Sequence, residues 1–504
     1  DVLALLTSAS AMTGGDASTA APPRAGARPT LPPLPATPTL GSSETTLAVL
    51  PVTCAAGDEY LADGVHEDLI DILSTTPTLR VRAAGILRAG TEHDPRALGQ
   101  QLGVDHVVVA SLRRTPDALR VSARLISVAD GFQIWTHRVQ CTSGDLLATS
   151  EALAREIATA LSTRANAATR PTDPRSVDLY LRARAEMRRF WGSHAQSAAD
   201  LFDQAYALSP GSTPIAGARA FATVQAWVFQ GEPSLVPRVQ AALEEGLASG
   251  HPEAVLASAA YRFNTGDPIG GATALGSALV RAPMLAQGHE MTAKILVEIS
   301  GGEARKAYET AIALDPARSA ILEMELARLD ALEGWWERAD RRVLQVLEDP
   351  DRSIAQLAAV VQARLAGWRH DREGMFAAAH KFSGRAGAPA NFLLQFLSAI
   401  AQTRVVDEQV WRQFITGYGG PGRPQRGQLM GLQLLSEMAL VLGYDATAIQ
   451  TLEQADAINF IDITALDRCP LYDRIATEPR FIAVRERTAT RAATVLAALR
   501  AAAG

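Results

Sequence analysis

Only three cysteines occur among 504 residues, Cys54, Cys141 and Cys469, far apart and with no CxxC pair or histidine cluster near them. Neither a zinc site nor a disulfide framework is therefore built into the chain. Free thiols are the default, and a Cys54–Cys141 bridge is one that an oxidising compartment would allow without requiring. Aromatic residues are also scarce, at 6%, which argues against large β-sandwiches, whereas the abundant Ala and Leu suit close-packed helices. Long hydrophobic runs are missing too: the apolar stretches are short ones such as 107–110, 357–361 and 438–442, against the roughly 20 residues needed to span a bilayer. No transmembrane segment is expected. With 48 Lys+Arg against 54 Asp+Glu and a net charge of −6, there is no basic footprint for a phosphate backbone, so no nucleic-acid partner is expected. No paired carboxylates, activated nucleophile or metal-ligand cluster can be assembled from motifs. The sequence therefore reads as non-enzymatic, with no cofactor and no metal.

What the chain does have is 47% hydrophobic residues, enough for two to four domains with real cores. It opens on Asp1 rather than Met, which raises the expectation that something lies upstream. Residues 1–45 carry seven prolines, among them Pro32, Pro33 and Pro35, in a setting of Ala, Thr, Gly and Ser. That composition favours an extended tether, and these prolines are candidate partner contacts.

Residues 46–165 read as a small α/β domain. Thr46 to Val52 is a buried strand; 59–73 is a helix with an apolar stripe; Leu79 to Ala83 is a strand; Pro95 to Leu102 is a helix stopped by Gly103. Three strands follow at 106–112, 118–127 and 132–140, joined by turns at 115–117 and 129–131, before a helix over about 143–163. Within this domain His66-Glu67-Asp68 crowds three titratable groups, but consecutive helical positions point about 100° apart, so the trio reads as a solvated helix face. Trp135 and His137 alternate along one strand and share a side, as a core Trp beside an edge His.

The phrases Ala48-Val-Leu-Pro51, Glu59-Tyr-Leu-Ala-Asp-Gly64, Leu102-Gly-Val-Asp-His-Val-Val-Val109 and 123–135 (Ala-Arg-Leu-Ile-Ser-Val-Ala-Asp-Gly-Phe-Gln-Ile-Trp) resemble the TolB amino-terminal-like domain of bacterial tandem regulators. The resemblance spans about 120 residues. It departs from the family after the first strand, where Val52-Thr-Cys-Ala-Ala56 is shorter and blander. It implies a binding or packing module that often precedes tetratricopeptide repeats, with no catalytic residue to carry over. Asp63-Gly64 belongs to the family phrase and reads as structural.

From 174 to 504 the strands give way to helix-length segments punctuated by Pro210, Pro252, Pro283, Pro316, Pro350 and Pro389, which are 42, 31, 33, 34 and 39 residues apart. These intervals lie near the period of about 34 residues of tetratricopeptide repeats. The phrases 198–210 and 305–316 resemble the second helix of such a repeat, and 469–484 resembles the closing segment of TolB-like repeat proteins. A final helix over about 485–503 is expected to cap the array. The fold class is thus α+β: a small mixed sheet domain followed by an all-α solenoid with a concave binding groove. Candidate aromatic contacts include Trp191, Trp227, Phe229, Trp335, Trp336, Trp368 and Trp411. Trp335-Trp336 stands out because adjacent helical positions are poorly placed to face one core. The glycine-rich loop 417–427 lacks the strand and the Lys-Ser/Thr of a phosphate cradle and reads as a connection.

The missing catalytic motif, the solenoid and the tether together lead to the expectation of a non-catalytic protein-protein interaction scaffold. It would be an accessory or stabilising subunit on a larger, membrane-associated assembly, respiratory or photosynthetic for example, in the periplasm or at the membrane periphery. The alternative is the sensory or regulatory C-terminal half of a one-component regulator or Ser/Thr kinase whose effector domain lies upstream, in the cytoplasm.

Overall fold

The computed structural model describes residues 45–76, 79–83, 95–115, 118–128, 133–161, 173–189, 192–282, 285–315, 318–381, 391–402 and 424–503. Pro32, Pro33, Pro35, Trp191, Trp411 and the 129–131 turn lie outside them, as does most of the 417–427 loop.

One five-stranded sheet has the order β2-β1-β3-β4-β5, with β1 Thr45–Val49, β2 Leu79–Ala83, β3 His106–Arg114, β4 Leu119–Ser127 and β5 Gln133–Cys141. The strand β1 lies parallel to both β2 and β3, while β3, β4 and β5 form an antiparallel meander. Parallel neighbours need crossover helices, supplied here by α1 (Glu59–Ser74) and α2 (Pro95–Leu102). The helices α1 and α3 (Leu146–Ala160) cover one face, against Leu47, Val49, Val121 and Leu125. On the other face α2 packs Leu98 and Leu102 against Ala48 and Val107. A strand buried on both faces must be apolar throughout, which is why the run 47–50 has no polar residue. At the meander, β4 alternates instead: Leu119, Val121, Ala123 and Leu125 point inward, with Arg120 and Arg124 in solvent.

Every regular element after residue 173 among the described residues is a helix. In chain order the helices are α4 (Pro174–Met187), α5 (Gly192–Leu208), α6 (Thr213–Gln230), α7 (Val236–Ser249), α8 (Pro252–Asn264), α9 (Pro268–Arg281) and α10 (Ala286–Ile299). Next come α11 (Gly301–Leu314), α12 (Ser319–Leu332), α13 (Trp336–Leu347), α14 (Arg352–Trp368), α15 (Arg372–His380) and α16 (Asn391–Gln402). The last four are α17 (Gln425–Leu442), α18 (Asp445–Ala457), α19 (Ile463–Arg468) and α20 (Pro479–Ala503). The expected class therefore stands: mainly α, with one small mixed sheet. Helical hairpins form from α8 with α9, α10 with α11 and α12 with α13. Their first residues, Pro252, Ala286 and Ser319, set a near-constant period along the chain.

The C-terminal helix departs from the expected end cap. It buries Phe481, Val484, Thr488, Ala492, Val495 and Leu499, a stripe at helical spacing, against α9, α10 and α18. Gly276 of α9 makes this approach possible: a Cβ there would sit 2.7 Å from the Ala502 Cβ and 2.9 Å from the Leu499 carbonyl oxygen. The helix thus lies across the middle of the array. Arg500 reinforces the contact by pairing with Glu303 at 2.5 Å.

Candidate functional site

The sheet and the helical array meet along a seam between α1 and α4. On α4, Val177, Leu181 and Arg184 recur at the intervals that place residues on one helical face, and Arg188, which caps the helix, continues the series. Gly64 of α1 has no side chain to hold Leu181 away, and a Cβ at that position would come within 2.1 Å of the Leu181 Cδ2. The glycine inside the Asp63-Gly64 phrase therefore sets the distance between the two helices.

Charged groups flank this close approach. The Arg184 guanidinium donates to Asp71 of α1 (Nη2–Oδ2 3.0 Å), to Glu253 of α8, and through Nε to the Tyr180 hydroxyl at 3.0 Å. Arg188 donates to Glu67 at 2.7 Å and to Asp63 at 3.1 Å. Three elements are thus tied by one arginine, with side-chain exposures of 10% for Arg184 and 4% for Glu253, so the cluster works in a low-dielectric setting. Acid groups outnumber bases here. Desolvation raises the Asp71 pKa to about 7; Arg184 pulls it the other way, and Glu253, Glu67 and Asp68 add to the rise. His66 brings no compensating charge, since its burial lowers its pKa even with Glu67 near, and its ring hydrogen-bonds the Leu50 carbonyl. The expected solvated face at His66-Glu67-Asp68 is therefore corrected: Asp68 is buried, His66 is half-buried and Glu67 faces the array.

Beside the seam lies a cavity of about 500 Å³. Leu61, Val177, Leu181 and Leu208 form its apolar wall, while Tyr60, Arg114, Ser143 and Arg175 bring polar groups to it. It sits where the parallel strands end: Arg114 is the last residue of β3, and Tyr60 lies in the first turn of the helix after β1. The carboxyl ends of strands at a change of sheet direction are the usual place for ligands in open α/β sheets. Arg114 donates through Nε to Asp58 at 2.9 Å, and Arg175 reaches Asp173 at 3.2 Å. Both arginines remain substantially exposed, at 49% and 76%.

The aromatic candidates are dispersed. Trp368 is 1% exposed and donates to Glu437 at 2.8 Å; this correction makes it a core residue, closed to any partner. Trp227 is also buried. Trp336 is half-buried under Arg369, and Trp335, 47% exposed, packs under Arg305 and Arg338. The two neighbours diverge because the chain turns between them: Trp335 caps α13 from outside the helix and Trp336 begins it. Cys54, Cys141 and Cys469 are free thiols, and burial pushes all three upward in pKa. Among the described residues no group of His, Cys, Asp and Glu is arranged to hold a metal, and no helix is long and apolar enough to cross a membrane. The seam residues Asp71, Arg184 and Glu253 were absent from the sequence-based candidates. Their readable trace is Arg184 and Arg188 at i,i+4 on a helix with an apolar face.

No protein-family model matches the chain. The chain is 30% identical over 202 residues to a protein of Rhizobium meliloti (strain 1021) named "Putative adenylate cyclase 3"; the match covers 38% of this chain and 33% of that relative. The chain thus spans about a third of the relative's length. Among solved structures it is similar to TolB from Acinetobacter baumannii, with a TM-score of 0.21 and 14% identity over 25% of this chain and 30% of that one. It is also similar to the PelC dodecamer from Paraburkholderia phytofirmans, with a TM-score of 0.19 and 15% identity over 26% of this chain and 96% of that one. The cyclase match corrects the functional expectation. A relative named for catalysis stands against the expectation of a non-catalytic scaffold and of a non-enzymatic chain.

Proposed function

We propose that the chain takes part in cyclic AMP synthesis, as the sensing and coupling portion of an adenylate-cyclase-type enzyme. The observation that carries this reading is the 202-residue match to a relative named as an adenylate cyclase. The seam gives the reading a physical form. Arg184 fastens the sheet to two separate helices of the array, so a change at the cavity beside it reaches the array through packed, charged groups rather than a loose linker. On this reading the helical hairpins are tetratricopeptide repeats that transmit or receive the signal through their surfaces. The test is to express the polypeptide that the natural gene encodes in a bacterial strain lacking its own adenylate cyclase, and to measure cyclic AMP formed from ATP by the purified protein. Cyclic AMP production by the folded protein supports the proposal. A stable, folded protein that forms no cyclic AMP overturns it.

A further inference from the structure

The geometry points to a binding site for a small amphipathic carboxylate in the cavity at the carboxyl ends of β1 and β3. The inference stands on the cavity alone and does not rest on the cyclase reading. Its volume, about 500 Å³, falls within the range of pockets that enclose small organic ligands. The wall chemistry divides the ligand in two. Val177 and Leu181, both fully buried, together with Leu61 and the half-buried Leu208, offer an aliphatic surface that takes an apolar body out of water. Tyr60, Ser143, Arg114 and Arg175 supply the polar end.

The sign of the head group follows from how the charges are already used. Three carboxylates near the cavity are already paired with arginines: Asp58 holds Arg114, Asp173 holds Arg175 and Asp178 holds Arg182 at 3.0 Å. A guanidinium carries five donors in a planar fork. Arg114 commits its Nε to Asp58 and also hydrogen-bonds the Tyr60 side chain, and Arg175 commits one terminal nitrogen to Asp173. Donor capacity therefore remains on the two cations, whereas an incoming ammonium would have to compete for carboxylates already in pairs. A carboxylate matches the fork bidentately. The ligand would bridge Arg114 of the sheet and Arg175 of the array's first helix, so its binding would clamp the seam.

Isothermal titration of the chain with octanoate tests this, with octylamine as the probe of opposite charge. Saturable, one-to-one octanoate binding is expected, with no comparable heat from octylamine. Arg114→Gln and Arg175→Gln alter exposed groups and should each weaken octanoate binding by about tenfold or more, the worth of a charge-assisted hydrogen bond. Leu208→Trp, filling the apolar end, should abolish it, while circular dichroism verifies that each variant is folded. Absence of octanoate binding, equal binding of octylamine, or affinity untouched by all three substitutions would each overturn the assignment. None of these readouts involves cyclic AMP, so the site and the cyclase reading fail or succeed separately.

Discussion

Arg184 and Asp71 hydrogen-bond across 3.0 Å although 113 residues lie between them, and the same guanidinium holds Glu253 of a third element. Removing the guanidinium leaves the buried Glu253, 4% exposed, without its counter-charge, which typically costs about 3–5 kcal/mol. Arg184→Met is therefore expected to destabilise the protein by that amount in urea titrations. Because the arginine joins the sheet to the array, the loss should also separate their unfolding. Far-UV circular dichroism is dominated by the helices, and Trp135 reports on the sheet when the remaining tryptophans are replaced. Coincident transitions with an unmoved midpoint would remove the seam from the account of stability.

The elevated Asp71 pKa carries a definite sign. The carboxyl titrates near 3.8 when unfolded and at about 7 in the native state, so between these values the folded protein binds more protons than the unfolded one. Stability must then fall with rising pH across that window, with the penalty absent below about 4 and complete above about 7. Asp71→Asn removes the ionisation while keeping the shape. The variant should lose the decline between pH 4 and 7 relative to the parent, as measured by thermal melts at constant ionic strength. A decline of unchanged slope would assign the titration to another group.

Gly64 makes a more local prediction. An added methyl would meet the Leu181 Cδ2 at 2.1 Å, so the buried Leu181 must leave its conformation or α4 must shift. Gly64→Ala should cost about 1–3 kcal/mol despite the higher helix propensity of alanine, whereas Gly64→Ala with Leu181→Ala should recover part of the loss. If Gly64→Ala is neutral or stabilising, then α1 and α4 are not held at the distance described.

Which parts of this molecule could be read in advance follows from the range of the interactions. The strand Leu79–Ala83 and the helix Pro95–Leu102 have the bounds read from local pattern, because β-branched runs, proline starts and glycine stops act over a few residues. The trio His66-Glu67-Asp68 looked like a solvated face because a helical wheel shows polarity but not a partner, and Arg188 reaches Glu67 from more than a hundred residues away. The placement of α20 was hidden in the same way. The helix was expected over about 485–503 as a cap, and nothing near it in sequence names Gly276 as the surface that its stripe from Phe481 to Leu499 covers. Trp335 and Trp336 show the opposite limit: the expectation that they could not share a core assumed one helix, while the chain turns between them.

Truncation tests the return of the C-terminal helix. With residues 479–503 removed, the stripe around Gly276 and Leu275 loses its cover, and an exposed apolar patch of that kind promotes association. The shortened chain should aggregate or melt well below the parent, and Gly276→Leu in the full chain should reproduce the lower melting temperature by pushing α20 off α9. Proteolysis of the Gly276→Leu variant should begin within α20. Initial cleavage elsewhere, with α20 protected, would show that the helix is held by contacts other than this one.

Glu437 gives the sharpest separation between a buried charge and its satisfaction. Its side chain is fully buried, and it receives Arg364 through Nε at 2.7 Å and Nη2 at 2.6 Å, with the Trp368 indole N–H at 2.8 Å. Trp368→Phe removes one of three donors and leaves the ion pair intact, so a loss of about 1–2 kcal/mol is expected. Arg364→Met strips away the counter-charge while the carboxylate stays enclosed, a loss of about 3–5 kcal/mol. Replacing both charges, Arg364→Met with Glu437→Met, should restore most of that stability, because the penalty of Arg364→Met comes from the uncompensated Glu437 rather than from the missing attraction. Urea denaturation of the parent, Arg364→Met, Glu437→Met and the double variant closes the cycle. A double variant as unstable as Arg364→Met would mean that the pair contributes through its attraction, and that this core tolerates no apolar replacement.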